Sequence, residues 1–237
     1  MPSLPKIDMP IFTMVLPASK ETVKYRPFTV KEEKILLIAR ETKDLDQIIL
    51  SIKQVINNCL LDKDIDDLSM VDLEFALLTI RGQSVDTNIK FGITDPDTQE
   101  PVQLEINLND ITLFEDPTHS NRVKVNDQYT LIMRYPSIDE AWTILKMGKE
   151  KTSAAVAEFS VLLKCLDKLV SEDEVFKFDD FSEKEVTDFV ESLDNKSIKR
   201  IEAFFTSMPK LKHTIKYKNS AGADKTFVLQ GIQTFFT

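Results

Sequence analysis

Glycine is scarce, at five residues in 237. That scarcity excludes collagen-like, Gly-linker and glycine-rich phosphate-loop architectures, and no Walker or dinucleotide motif occurs. Histidine is rarer still, with His119 and His213 alone. Nucleophilic triads need a base, usually histidine, so the chain has few residues from which to build one. The two cysteines, Cys59 and Cys165, sit inside apolar helical patterns. They read as buried thiols of a reducing compartment and not as a disulfide framework. No Cys-x-x-Cys, His-x-x-x-His or calcium-loop pattern occurs, so no metal site and no cofactor is expected. Long apolar runs are missing too. The longest covers residues 35–39, far short of the ~20 residues that a membrane span requires. The opening MPSLPKIDMP has no basic stretch followed by an apolar one. No secretory signal is expected, and the protein is expected in the cytosol where it is made.

What is present is an ordinary globular composition, 42% hydrophobic and 29% charged, enough for one large domain or two small ones with a sizeable core. The net charge is −9, which argues against duplex nucleic acid as a partner, because that affinity rests on neutralising phosphates. Charge is unevenly placed. Residues 172–194 hold ten acids and two lysines, and residues 196–225 hold eight bases and two acids. These segments read either as neighbouring surfaces that attract each other or as docking patches for partners of opposite charge.

Along the chain, residues 1–28 carry five of the ten prolines and read as an extended arm with apolar beads, among them Leu4, Ile7, Ile11, Phe12 and Val15. The arm either packs on its own domain or adds to a partner subunit. Thr29-Val-Lys-Glu32 is a capping box for a helix over 33–41, Asp44 opens a second helix, and Ser69-Met-Val-Asp72 caps a third that Gly82 stops. Residues 88–93, 102–108, 111–114, 122–125 and 129–133 read as strands of one small antiparallel sheet. Ser137-Ile-Asp-Glu140 caps the next helix, and a long helix is expected over 151–170. Further helices follow from Ser182 and over 197–207, then a hairpin of 213–218 with 225–230 and a terminal turn. The fold class is α+β. Its parts are an N-terminal extended arm (1–28), a helical subdomain (29–82), an antiparallel β-sheet subdomain (83–136), a C-terminal helical region (137–208) and a C-terminal β-hairpin with terminal turn (209–237). No internal repeat is visible.

Individual residues leave choices open. His119 reads as a solvated turn residue and His213 as a strand-edge residue. Asp64-Ile-Asp-Asp67 reads as solvated acids. Arg26 pairs with an acid such as Glu33 or faces a partner, since arginine is enriched at interfaces. Phe28 precedes the Thr29 cap and is expected to be buried. Lys210, Lys212, Lys216 and Lys218 form the basic row available for docking. No catalytic, cofactor-binding or metal residue is assigned.

The segments 4–6, 10–17 and 23–39, with Arg26-Pro-Phe-Thr-Val-Lys-Glu-Glu-Lys34, are similar to a family of T4-type phage baseplate proteins, the baseplate hub subunits also described as hub assembly chaperones. Asn58-Cys59, residues 78–85, Met133-Arg-Tyr-Pro136, residues 204–209 and residues 229–236 extend the resemblance. The C-terminal hairpin of such proteins can carry Cys-x-x-Cys. Here residues 217–224 hold no cysteine, so a zinc role is not expected. The resemblance implies a structural or assembly protein of the tail baseplate hub. It would act by protein–protein contacts in the infected host cytoplasm, without catalysis. Its partners would be other tail baseplate or hub proteins or further copies of itself, with no nucleic acid, membrane span or small-molecule substrate. The rival reading is a cytosolic hydrolase whose active groups converge only in space.

Overall fold

In a computed structural model the chain is α+β, described over residues 7–42, 44–84, 87–147 and 154–230. The elements in order are β1 (Phe12–Val15), β2 (Thr22–Tyr25), α1 (Val30–Thr42), α2 (Leu45–Cys59), α3 (Met70–Ser84), β3 (Asn88–Thr94), β4 (Pro101–Asn107), β5 (Thr112–Phe114), β6 (Arg122–Lys124), β7 (Thr130–Met133), α4 (Ile138–Met147), α5 (Ala154–Lys164), β8 (Leu166–Val170), β9 (Val175–Lys177), α6 (Glu183–Glu191), α7 (Asn195–Ser207), β10 (Lys210–Lys218) and β11 (Asp224–Gln230). They divide into two compact units. Residues 1–114 and 210–237 form the first, and residues 115–209 form the second.

In the first unit the proline-rich segment folds back on itself. β1 and β2 pair antiparallel, Phe12 opposite Tyr25 and Val15 opposite Thr22. Alternation sends Met14, Val23 and Tyr25 inward, and Leu16 beyond the strand is fully buried. The hairpin is held at both ends. At its tip the Ala18 and Ser19 amides donate to the Asp72 carboxylate at 2.7 and 3.2 Å. At its base the Leu61 amide donates to the Lys24 carbonyl, and Tyr25 bridges Leu60. From residue 12 onward the arm therefore belongs to its own core. An extension that leaves the fold does not describe it.

α2 shows how sequence becomes packing. The Asp44 carboxylate caps it by accepting from the Asp46 amide. Ile49, Ile52, Val55, Ile56 and Cys59, at three- and four-residue spacing, line its buried face. α3 is apolar on more than one face, because it runs through the interior with Leu73, Ala76, Leu77 and Ile80 all at 1% exposure or less. It passes through Gly82 and ends at Ser84, two residues beyond the stop expected at Gly82. Tertiary contact overrides the modest cost of a helical glycine, and the Ser84 hydroxyl both donates to the Ile80 carbonyl and accepts the Phe28 amide.

The five strands expected in one sheet are dealt among three. β3 pairs with β4, β5 joins β10 and β11, and β6 and β7 join β8 and β9. β5 meets β10 with Phe114 opposite Lys210, a pairing between residues far apart in sequence. Leu78 from α3 packs with Phe91, Leu104, Ile106, Leu108, Leu211 and Leu229 from these sheets. The buried Asp95 pins the β3–β4 turn to β10, accepting from the Asp97 and Thr98 amides and from the Tyr217 hydroxyl at 2.7 Å. Gly222, at φ +79°, closes the β10–β11 turn.

The second unit is a four-stranded antiparallel sheet, β6-β7-β8-β9, with α5, α6 and α7 contributing Val161, Leu162, Val186, Val190, Ile201 and Phe204 to its core. The long helix expected over 151–170 ends at Lys164, and β8 takes its last turn and a half. The leucines at 162, 163, 166 and 169 fit a helical stripe. Leu166 and Leu169 also fit a strand, and pairing with β7 decides the matter. The terminal turn expected at 231–237 lies outside the described residues.

Because Leu16 is fully buried in the first unit, Leu16→Ala should destabilise it by ~2–5 kcal/mol, and removal of residues 1–17 should unfold it. Urea denaturation followed by circular dichroism measures both. A truncated chain that melts like the full chain would return these residues to the status of a detachable arm.

Candidate partner-binding surfaces

At the end of β2, the Arg26 amide donates to the Cys59 carbonyl at the end of α2. Its guanidinium reaches forward to the Glu32 carboxylate, Nη2 to Oε1 at 3.0 Å and Nη1 to Oε2 at 3.4 Å, and also donates to the Pro27 carbonyl. Glu32 accepts the Thr29 amide and hydroxyl as well. One carboxylate thus caps α1, fixes the turn before it and holds the strand that precedes it. Arg26 pairs with Glu32 and not with Glu33, because the third helical position reaches back to the cap whereas the fourth points on to solvent. Glu32 is 2% exposed. Burial pushes its carboxyl up, but the hydrogen bonds from Arg26 and Thr29 outweigh that and hold it at about 2. Burial pushes the Cys59 thiol up to about 11, so it is an inert packing group.

The second unit repeats the construction. At the end of β7 the Arg134 amide donates to the Cys165 carbonyl after α5. Its guanidinium grips Glu140 at 2.7 and 2.9 Å and donates to the Tyr135 carbonyl. Glu140 accepts the Ser137 amide. Tyr25 bridges Leu60 as Met133 pairs with Leu166. Each unit then has a 3-10 turn, Ile65–Asp67 or Phe178–Asp180, and a serine, Ser69 or Ser182, before its next helix. The two units share one module: hairpin, arginine clasp, two helices, Cys-Leu, 3-10 turn and capped helix. The chain thus contains a structural repeat, although no repeat is visible in its sequence.

His119 is not a solvated turn residue. Its ring stacks on Tyr135 and lies against Phe204. Nδ1 lies 2.9 Å from the Ser207 hydroxyl and Nε2 2.8 Å from the Tyr135 hydroxyl. Ser207 donates its own proton to the Ala203 carbonyl at 2.6 Å, so Nδ1–H donates to Ser207 and Nε2 accepts from Tyr135. Burial lowers the His119 pKa. With its basic nitrogen engaged and its hydroxyl neighbour facing a helix carbonyl, the pair is a lock between turn and helix.

The residues expected to meet partners are placed in different ways. Arg26 and the buried Phe28 go to the clasp and the core. Ile7, Ile11 and Val15 are exposed at 89%, 63% and 55%, and Val15 stands on the outer face of β1 opposite the buried Met14. Phe12 is half-buried with its ring 5.7 Å from Tyr25, and Leu4 lies outside the described residues. Lys210, Lys212, Lys216 and Lys218 share one face of β10, with Lys212 over the exposed Phe114 ring. Glu32, Arg134 and Glu140 escaped the sequence reading as clasp residues. Their signal is an arginine six positions before a glutamate, with Thr or Ser three before that glutamate.

Among the described residues no cluster of His, Cys, Asp and Glu is arranged to hold a metal, and no helix is long and apolar enough to cross a membrane. A family model described as T4 bacteriophage base plate protein matches residues 9–237. The chain belongs to that family. No curated protein and no solved structure matches it. As a baseplate family member it is a phage tail protein, and the family supports a structural role.

Arg26→Met leaves a buried carboxylate without its cation, and loss of one partner from such a pair costs ~3–5 kcal/mol. Arg134 and Glu140 are more exposed, with side chains at 44% and 13%, so Arg134→Met should cost less. A carboxyl held low in the folded state stabilises fully above its unfolded pKa near 4.5 and loses that contribution as pH falls toward about 2. Urea titrations between pH 6 and 2.5 should show this acid loss in the wild type and its attenuation in Arg26→Met. Equal acid sensitivity in both would assign the loss to other carboxylates.

Proposed function

We propose that this baseplate protein serves the tail hub as a structural or assembly subunit, acting by protein–protein contact and not by bond-making, in the host cytoplasm where tails are built. The sequence resemblance over residues 4–60 supports the hub. The observation that carries the contact surface is the hairpin itself. One face of β1 is locked into the core while Ile7, Ile11 and Val15 stay exposed around it. Single exposed apolar residues are ordinary, but several along one short segment suit a partner surface. The lysine row of β10 is a second contact of opposite character, and its contribution is salt-sensitive, since screening shortens from ~10 Å at 0.1 M to ~3 Å at 1 M. The partners are other hub proteins or further copies of this chain.

The double variant Ile11→Asp, Val15→Asp tests this reading. Both side chains are exposed, so the melting temperature should hold within about 2 °C, since surface substitutions stay within ~0.5 kcal/mol. Assembly of the purified chain with co-expressed hub proteins, followed by size-exclusion chromatography, should fail. Unimpaired assembly by the folded variant would remove the hairpin face from the contact.

A further inference from the structure

In the second unit Val123 and Leu131 enter the core with Leu169 against them. The opposite face of the same strands aligns Arg122, Ile132, Lys168 and Lys177 in one cross-strand row, with Lys124, Thr130, Val170 and Val175 in the next. Arg122, Lys124 and Lys177 are exposed, and Val175 is 60% exposed. In the first unit the matching face places Thr13 opposite Lys24 and Val15 opposite Thr22, with a single cation. The first hairpin has no strands matching β8 and β9, so the row of cations belongs to the second unit's sheet and not to the shared module.

That face carries an internal cost. Lys168 stands directly opposite Lys177, and directly opposed like charges destabilise an antiparallel pair. Nearby carboxylates relieve it in part: Asp167 lies 3.4 Å from Lys168, and Asp127 2.7 Å from Lys124. Glu172, Asp173 and Glu174 occupy the β8–β9 turn beyond the strand ends. Among the described residues Arg122 and Lys177 have no ion-pair partner. Aligned cations interleaved with Ile132 and Val175 complement carboxylates interleaved with apolar side chains, the pattern that one face of an acidic polypeptide presents.

We propose that the outer face of β6-β7-β8-β9 docks an acidic, partly apolar polypeptide segment of another tail protein. The proposal rests on the contact function given above but uses a different unit and different residues. The full chain, labelled for amide NMR, is titrated with a synthetic peptide of alternating Glu and Val. A Lys–Val peptide and a short DNA duplex serve as comparisons. The Glu–Val peptide should shift amides of β6 through β9, and raised salt should weaken the effect. Lys177→Glu should weaken binding about tenfold or more and leave the melting temperature unchanged or higher, because it turns an opposed like-charge pair into an attractive one. Shifts confined to β10, no shifts, stronger binding of the duplex, or a lowered melting temperature in Lys177→Glu would each overturn the assignment. None of these results bears on the Ile11 and Val15 contact, so failure here leaves the hub reading to its own assay.

Discussion

A guanidinium gripping a carboxylate at two points organises each unit of this protein. The pairing is directional because a planar fork meets a planar acceptor, which point charges cannot reproduce. Arg26 and Glu32 sit at a junction where a strand ends, a turn begins and a helix starts. Fixing that junction sets the direction of α1. The amide of the same arginine fixes where α2 ends, through the Cys59 carbonyl. Three chain segments are placed by one side chain and its own backbone. Cys59 and Cys165 are small, buried and inert, and their carbonyls are what the clasps use.

Use of the same clasp in both units links architecture to role. A baseplate protein works by presenting surfaces, and a module whose inside is fixed leaves its outside free to vary. The outer faces do vary: one lysine among hydroxyl and apolar groups on the first hairpin, several cations among apolar groups on the second sheet. The first unit adds β3, β4, β5, β10 and β11 to its module. In the chain the second unit is inserted between β5 and β10, which pair with each other within the first unit, Phe114 opposite Lys210.

Much of this was legible in the sequence, for local reasons. Caps at Asp44, Ser137 and Ser182, the buried stripe of α2, and the positive φ at Gly222 each depend on residues a few positions apart. The baseplate family was legible through residues 4–60, and the match over residues 9–237 agrees. What stayed hidden depends on distance. Nothing local says that β5 pairs with β10, or that Leu166 and Leu169 belong to a strand. The repeat was hidden because its shared residues are few and scattered: the arginine and glutamate, Cys-Leu, paired aspartates and a serine. Segments of different length and composition separate them. Exposed surfaces were only half legible. The apolar residues of the first segment were visible, but which of them face outward is set by hairpin alternation, which buries Met14 and Leu16 and leaves Val15 out.

Each unit is held by its own clasp. The most direct measurement is hydrogen exchange, resolved by segment, on full chains carrying Glu32→Gln or Glu140→Gln. The amide side chain keeps the shape but loses the charge that grips the arginine. Exchange should be faster in β1, β2, α1 and α2 for the first variant, with β6 through β9 and α5 unchanged, and the reverse for the second. Loosening of both units by either variant, or of neither unit by both, would contradict it.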